Sequence, residues 1–96
     1  MPYNNLAWLA ATSPRQEFRD GKKAVEYARK ACELTNWKEP GNLDTLAAAY
    51  AQSGDFQEAI KWQNKALESP AFPKDQVEKA HQRLEMYAAG KPYREK

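Results

Sequence analysis

Cysteine, histidine and glycine are scarce in this chain of 96 residues, which has one cysteine, one histidine and four glycines. The single cysteine, Cys32, cannot form an intramolecular disulfide, so the fold does not depend on an oxidising compartment. His81 has no cysteine or histidine cluster around it that would suggest a zinc site or a catalytic centre. The glycines are isolated and form no phosphate-binding loop. We therefore expect no metal, no cofactor and no enzymatic activity.

Long apolar runs and a strong charge of one sign are also missing. No apolar stretch approaches the length that crosses a bilayer, and residues 1–5 lack the positive start of a secretory signal. These absences favour a cytoplasmic location. The net charge of +2 is too small to indicate nucleic acid or an acidic membrane by itself. A hydrophobic fraction of 42% is ordinary for one globular domain of this length.

The apolar residues that are present recur at helical spacing. Their three-to-four periodicity predicts five helices, at about residues 2–12, 20–35, 42–52, 56–68 and 74–89. No segment alternates with a period of two, so the predicted class is all-α. Asp20 and Asp55 are predicted N-caps, and Gly54 and Gly90 are predicted to end helices, Gly54 in the left-handed conformation. Cys32 falls in the apolar stripe and is predicted to be buried.

The strongest signal is a pattern that occurs twice. Residues 23–34 resemble residues 58–68, and Ala24 and Ala31 recur 35 positions later as Ala59 and Ala66. Self-similarity at a period in the thirties indicates an array of helical repeats. Such an array is a binding scaffold whose function lies on a surface.

Residues 43–67 resemble one particular repeat, the tetratricopeptide repeat (TPR). The positions that agree with the family pattern are Leu43, Leu46, Ala47, Tyr50, Gly54, Ala59 and Ala66. The resemblance implies a first repeat at about 1–39 with an enlarged turn at 13–21, and a second repeat at about 40–73. It also implies a capping helix at 74–89 and, after this domain of residues 1–90, a charged tail at 91–96 that we expect to be mobile. The chain would then be a C-terminal-type fragment of a TPR protein.

The TPR resemblance implies a right-handed superhelix of antiparallel helix pairs with a concave groove. Each repeat's first helix would line this groove, which usually binds peptides or helices of other proteins. The implied groove-facing residues are Asn4, Trp8, Asp44, Ala48, Gln52, Asp75, Glu78, Gln82 and Glu85. Because this set is acidic to neutral, we expect a neutral or basic segment of a protein partner. Trp8 is either an anchor for that partner or a packing residue under the turn 13–21. Trp37 and Trp62 are predicted to shield the junction between the repeats.

A basic cluster supports a rival hypothesis. Arg15, Arg19, Lys22 and Lys23 lie in or beside the turn 13–21, with Phe18 among them. Cations with an aromatic residue are typical of nucleic-acid contacts, although acidic residues interleave here. A further alternative is that the chain is a structural or assembly segment of a longer TPR array.

Self-association follows from the same interpretation. In a TPR array each first helix packs on the preceding repeat, and the first helix here has no predecessor. We therefore expect part of an apolar face formed by Tyr3, Leu6, Ala7 and Ala10 to lack a cover, with Met86 and Tyr87 only partly buried at the other end. A weak homodimer is the expected consequence.

Overall fold

The computed structural model describes residues 3–13 and 15–93, apart from the side chain of Phe18. Across these residues the chain forms five α-helices and no strand, which confirms the all-α prediction for the described part. The helices are α1 (Tyr3–Thr12), α2 (Gly21–Leu34), α3 (Pro40–Gln52), α4 (Phe56–Glu68) and α5 (Val77–Ala88). Short 3-10 helices, Gln16–Phe18 and Lys74–Gln76, precede α2 and α5. Pro2 and residues 94–96, which were assigned to the first helix and the tail, lie outside the described residues.

The start of α3 differs from the prediction, which placed it at Asn42. The helix begins at Pro40, because proline is well suited to the first helical position, where no N–H is needed and its fixed φ matches the helix. The predicted N-caps of α2 and α4 are confirmed. Asp20 accepts from the Lys23 N–H and Asp55 from the Glu58 N–H, each at 3.2 Å.

Three of the helices, α2, α3 and α5, end in the same type of left-handed turn. Asn36, Gly54 and Gly90 have φ values of 55°, 91° and 74°. The next N–H group donates back to the helix in each case: Trp37 to the Cys32 carbonyl (2.8 Å), Asp55 to Tyr50 (2.9 Å) and Lys91 to Met86 (2.9 Å). This is the Schellman motif, which satisfies the last carbonyls and reverses the chain sharply. The predicted conformation of Gly54 and the helix end at Gly90 are confirmed.

Alanine at the helix contacts lets neighbouring helices lie close together. Helix α3 packs against α1, α2 and α4, and α5 packs against α4. The fully buried alanines are distributed over all five helices: Ala7 and Ala11 on α1, Ala24 and Ala28 on α2, Ala47 and Ala49 on α3, Ala59 and Ala66 on α4, and Ala80 on α5. One close approach is at Gly21, where a Cβ atom would lie 2.8 Å from the Ser53 backbone.

The two predicted junction tryptophans stack on each other. The rings of Trp37, after α2, and Trp62, on α4, have centroids 5.3 Å apart. The Arg29 guanidinium lies over Trp37 and the Lys61 ammonium over Trp62, at 5.4 and 5.0 Å. This stack joins the two helix pairs. The prediction for Cys32 is also confirmed, because its side chain is fully buried.

The exposed apolar surface is smaller than the sequence suggested. Ala7 and Ala10 are buried, because they face the core shared with α2 and α3, and Tyr3 and Leu6 are half-buried. Tyr87 was expected to be partly buried, but it is 1% exposed. His81 lies exposed on α5. In the part of the chain that the structure describes, no helix combines the length and the apolar character needed to cross a membrane.

Candidate functional site

Helices α1 and α3 bring Asn4, Trp8 and Asp44 together around one open cavity of about 490 Å³. The remaining lining residues are Asn5, Leu9, Thr12, Ser13, Gly41 and Thr45. Asp44 is the only charged residue among the described residues that line the cavity. The lining therefore combines amide and hydroxyl groups with an indole ring and a leucine side chain. We call this cavity the α1–α3 groove.

A buried ion pair fixes the charge at one side of this groove. Arg83 Nη2 on α5 donates to both carboxylate oxygens of Asp44, at 3.0 and 3.1 Å. Gln63 Nε2 on α4 donates to Asp44 Oδ1 at 2.8 Å. Arg83 is only 5% exposed and the Asp44 side chain 16%. Because the two charges neutralise each other, the groove presents little net charge at this point.

Two aromatic rings lie close to the same guanidinium and to each other. The Arg83 Cζ atom lies 5.7 Å from the ring centroid of Trp8 and 5.3 Å from that of Tyr93. The centroids of Trp8 and Tyr93 are 5.9 Å apart, with the rings tilted by 43°. A cation within about 6 Å of a ring centroid is attracted by the ring quadrupole. We call Trp8, Arg83 and Tyr93 the aromatic–arginine cluster.

Tyr93 belongs to the segment 91–96, which the sequence predicts to be a mobile charged tail. The Schellman turn at Gly90 reverses the chain, and the Tyr93 ring packs against Trp8 and against the core cluster that contains Tyr87. Pro92 and Tyr93 are half-buried. The described end of the chain is therefore part of the site.

Tyr87 lies under this cluster with its hydroxyl buried. The hydroxyl has no hydrogen-bond partner among the described residues. Burial raises the pKa of Tyr87 above its ordinary value, and the negative charge of Asp44 raises it further, while Arg83 opposes both. The phenol therefore remains neutral at physiological pH and acts as a packing surface.

The other predicted groove residues do not join Asn4, Trp8 and Asp44. Ala48 is 1% exposed and offers almost no surface, and Gln52 is half-buried. The four residues around and on the fifth helix are all exposed: Asp75, Glu78, Gln82 and Glu85. At about 100° per residue, the last three lie roughly opposite the buried Ala80, Arg83 and Tyr87. The acidic residues of α5 are therefore not gathered in the α1–α3 groove.

The basic turn is partly engaged with the protein itself. Arg15 forms an ion pair with Glu17 at 2.6 Å, and Arg19 Nη1 donates to the Ser13 carbonyl at 3.0 Å. Lys22 and Lys23 are exposed at the start of α2. The structure describes no side chain for Phe18.

The sequence interpretation missed Arg83, Tyr93 and Gln63. A signal for two of them was present, because Arg83 and Gln63 fall on the buried stripes of α5 and α4. A polar residue in an apolar stripe usually has a buried partner, and Asp44 is that partner here. No comparable signal marked Tyr93.

Comparisons with known proteins yield no relative from which to infer function. No protein-family model matches the chain, and neither a curated protein nor a solved structure does. Within residues 3–13 and 15–93, no group of three or more histidine, cysteine, aspartate or glutamate side chains could hold a metal ion. The function is therefore argued from the α1–α3 groove and the aromatic–arginine cluster.

Proposed function

We propose that the protein is a non-catalytic interaction module with a TPR-like superhelical arrangement, which binds a segment of a protein partner in the α1–α3 groove. The observation that carries this proposal is the open cavity of about 490 Å³ between α1 and α3. Ligand sites are typically concave, partly apolar and supplied with a few polar groups that fix orientation. Packing of each helix on the next along the chain supports the repeat arrangement.

The lining residues favour an uncharged segment. Asp44 is already neutralised by Arg83, so the groove has no free charge with which to select a charged ligand. The exposed amide of Asn5 can both donate and accept hydrogen bonds, as a peptide backbone requires. The indole of Trp8 and the side chain of Leu9, which is 51% exposed, can receive an apolar side chain. A neutral peptide with one apolar anchor fits this combination.

A peptide array with neutral, basic and acidic sequences tests the proposal. Two variants block the groove in different ways. Trp8→Ala removes the aromatic wall, and Gly41→Leu fills the cavity from a position where a Cβ atom meets only the Glu39 carboxylate at 3.9 Å. Leu34→Ala is the control, because Leu34 is 68% exposed and does not line the groove.

We expect neutral peptides to bind the wild type and the control, and to bind both groove variants at least about tenfold more weakly, as is typical of interface hot spots. Circular dichroism would show that Gly41→Leu remains helical. Binding that survives both groove substitutions, or binding of acidic peptides alone, would exclude the α1–α3 groove as the site.

Nucleic-acid binding through the basic turn has less support. Arg15 and Arg19 are engaged with Glu17 and the Ser13 carbonyl, whereas Lys22 and Lys23 are exposed at the start of α2. Phosphate neutralisation would make the affinity fall steeply with salt. Retention of single-stranded RNA at low salt that Lys22→Ala and Lys23→Ala together abolish would favour this alternative.

A further inference from the structure

We infer that the aromatic–arginine cluster is a receptor subsite for an aromatic side chain, and that Tyr93 is its resident occupant. The segment Lys91–Tyr93 closes this part of the groove until an aromatic side chain of the partner displaces Tyr93. The inference rests on the proposed function, because it adds a ligand preference and a regulatory contact to the same groove.

The subsite is built independently of Tyr93. Both oxygens of Asp44 hold the Arg83 guanidinium, and Gln63 holds Asp44 in turn. Arg83 is therefore fixed beside Trp8, and a ring at the place of Tyr93 lies within reach of both the guanidinium and the indole. A planar aromatic side chain gains ring stacking and a cation–π contact at this position, and an aliphatic side chain gains neither.

Tyr93 reaches this subsite by a short and well-defined connection. The Lys91 N–H donates to the Met86 carbonyl at 2.9 Å, which completes the turn at Gly90. Pro92 then restricts the backbone and has no N–H to donate. The ring of Tyr93 is half-buried against Trp8 and the cluster around Tyr87. The segment therefore places an aromatic ring beside Trp8, at the edge of the groove.

The same tryptophan borders both the occupied and the open part of the site. Trp8 contacts Tyr93 at 5.9 Å between centroids, and it also lines the α1–α3 groove. A partner segment that enters the open cavity therefore lies next to the ring of Tyr93. An aromatic residue of the partner segment then competes with Tyr93. Because Tyr93 is tethered to α5 by only a few residues, its effective concentration at the subsite is on the order of millimolar or above.

Nuclear magnetic resonance of the Trp8 indole N–H tests the inference in the full chain. The probe is a synthetic peptide with the sequence of residues 88–96, and a second peptide carries alanine in place of its tyrosine. The protein variants are Tyr93→Ala and, as a control, Lys91→Ala, which removes an exposed side chain of the same segment.

We expect Tyr93→Ala, and not Lys91→Ala, to shift the Trp8 resonance. The tyrosine peptide should then move this resonance of Tyr93→Ala back toward its wild-type position, whereas the alanine peptide should not. The wild type should need about tenfold more peptide, because its own Tyr93 competes. Since Gly41→Leu fills only the open cavity, Tyr93→Ala combined with Gly41→Leu should still bind the tyrosine peptide.

Three results would overturn the inference. An unchanged Trp8 resonance in Tyr93→Ala would show that Tyr93 does not occupy the subsite. Equal peptide binding by the wild type and Tyr93→Ala would rule out closure by Lys91–Tyr93. No binding by Tyr93→Ala would rule out the receptor subsite. Failure of the proposed function gives a different result. Peptides on the array would then bind the Gly41→Leu variant as well as the wild type, while Tyr93→Ala would still shift the Trp8 resonance.

Discussion

At the scale of single residues, the Asp44–Arg83 pair decides whether the groove keeps its shape. Asp44→Asn removes the negative partner and leaves the guanidinium buried at 5% exposure. Breaking a buried ion pair in this way typically costs about 3 kcal/mol or more. We expect Asp44→Asn to lower the free energy of unfolding by about that amount in urea titrations.

The exposed pair Arg15–Glu17 supplies the control for this measurement. Its side chains are 68% and 61% exposed, so Arg15→Met should change the stability by less than about 1 kcal/mol. The double substitution of Asp44 by Leu and Arg83 by Met removes both charges, and it should be more stable than Asp44→Asn. Equal losses in Asp44→Asn and Arg15→Met would contradict the assignment of a buried pair.

Cys32 gives a second residue-level prediction, on pH. Burial raises the pKa of the Cys32 thiol from 9.0 to about 11, with Arg29 lowering it and Glu33 raising it by smaller effects. Between these two values the unfolded chain releases the thiol proton and the folded chain keeps it, so stability falls as the pH rises through this window. Cys32→Ala should show a shallower loss of unfolding free energy from pH 9 to pH 11.

The quantity that tests Cys32 is the slope of the unfolding free energy against pH, and not the absolute stability. Cys32→Ala also removes a buried sulfur atom, which lowers stability at every pH. Burial raises the pKa of Tyr87 as well, so a residual alkaline slope remains in the variant. Parallel curves for the wild type and Cys32→Ala would show that the thiol does not contribute.

At the scale of helices, alanine in place of two different glycines should have opposite effects on the stability of the fold. A Cβ atom at Gly21 would lie 2.8 Å from the Ser53 backbone, where the start of α2 meets the end of α3. Gly21→Ala should therefore destabilise the fold by about 1–3 kcal/mol through overpacking. Gly41 is helical and has open space, so Gly41→Ala should stabilise it by up to about 1 kcal/mol. Thermal unfolding would compare the two variants, and a shift of the same sign in both would refute the close helix contact.

The helices themselves could be predicted because their signals are local. Periodicity, the N-caps Asp20 and Asp55, and glycine at the helix ends all act within a few residues. The buried face of α5 was harder to predict, because its signal is not local. The resemblance implied that Glu78, Gln82 and Glu85 face the groove. The buried residues of α5 are Ala80, Arg83 and Tyr87, so the three predicted residues lie on the opposite, exposed side of the helix. Which face of a helix is buried depends on the helices that pack against it, and a single sequence does not reveal which helices these are.

At the scale of the whole molecule, the site depends on contacts between distant parts of the chain. Arg83 and Asp44 are 39 residues apart, and Tyr93 reaches Trp8 across almost the full described length. The TPR resemblance predicted that Asn4, Trp8 and Asp44 line one groove, and the structure places them around one cavity. The TPR resemblance contained no information on Tyr93, because a repeat pattern does not describe a segment that follows the last helix.

At the same scale, the exposed apolar surface determines how strongly the molecule can self-associate. The large hydrophobic side chains that are exposed in the described part are Leu9, at 51%, and Leu34, at 68%. Leu9 lies three residues from the half-buried Leu6 on α1, so the two can form one small apolar patch. Leu34 lies at the other end of the helix pair, at the last residue of α2.

Such a patch supports only weak association. A stable dimer buries about 800 Å² per partner, and burial of Ala7 and Ala10 removes much of the α1 face from the area available. We therefore expect a monomer at about 0.1 mM and partial dimerisation near about 1 mM, as weak interfaces show. Leu9→Lys should abolish the dimer and Leu34→Lys should not, because only Leu9 belongs to the α1 patch. Sedimentation equilibrium measures both, and a tight dimer at micromolar concentration, or equal effects of the two substitutions, would place the interface elsewhere.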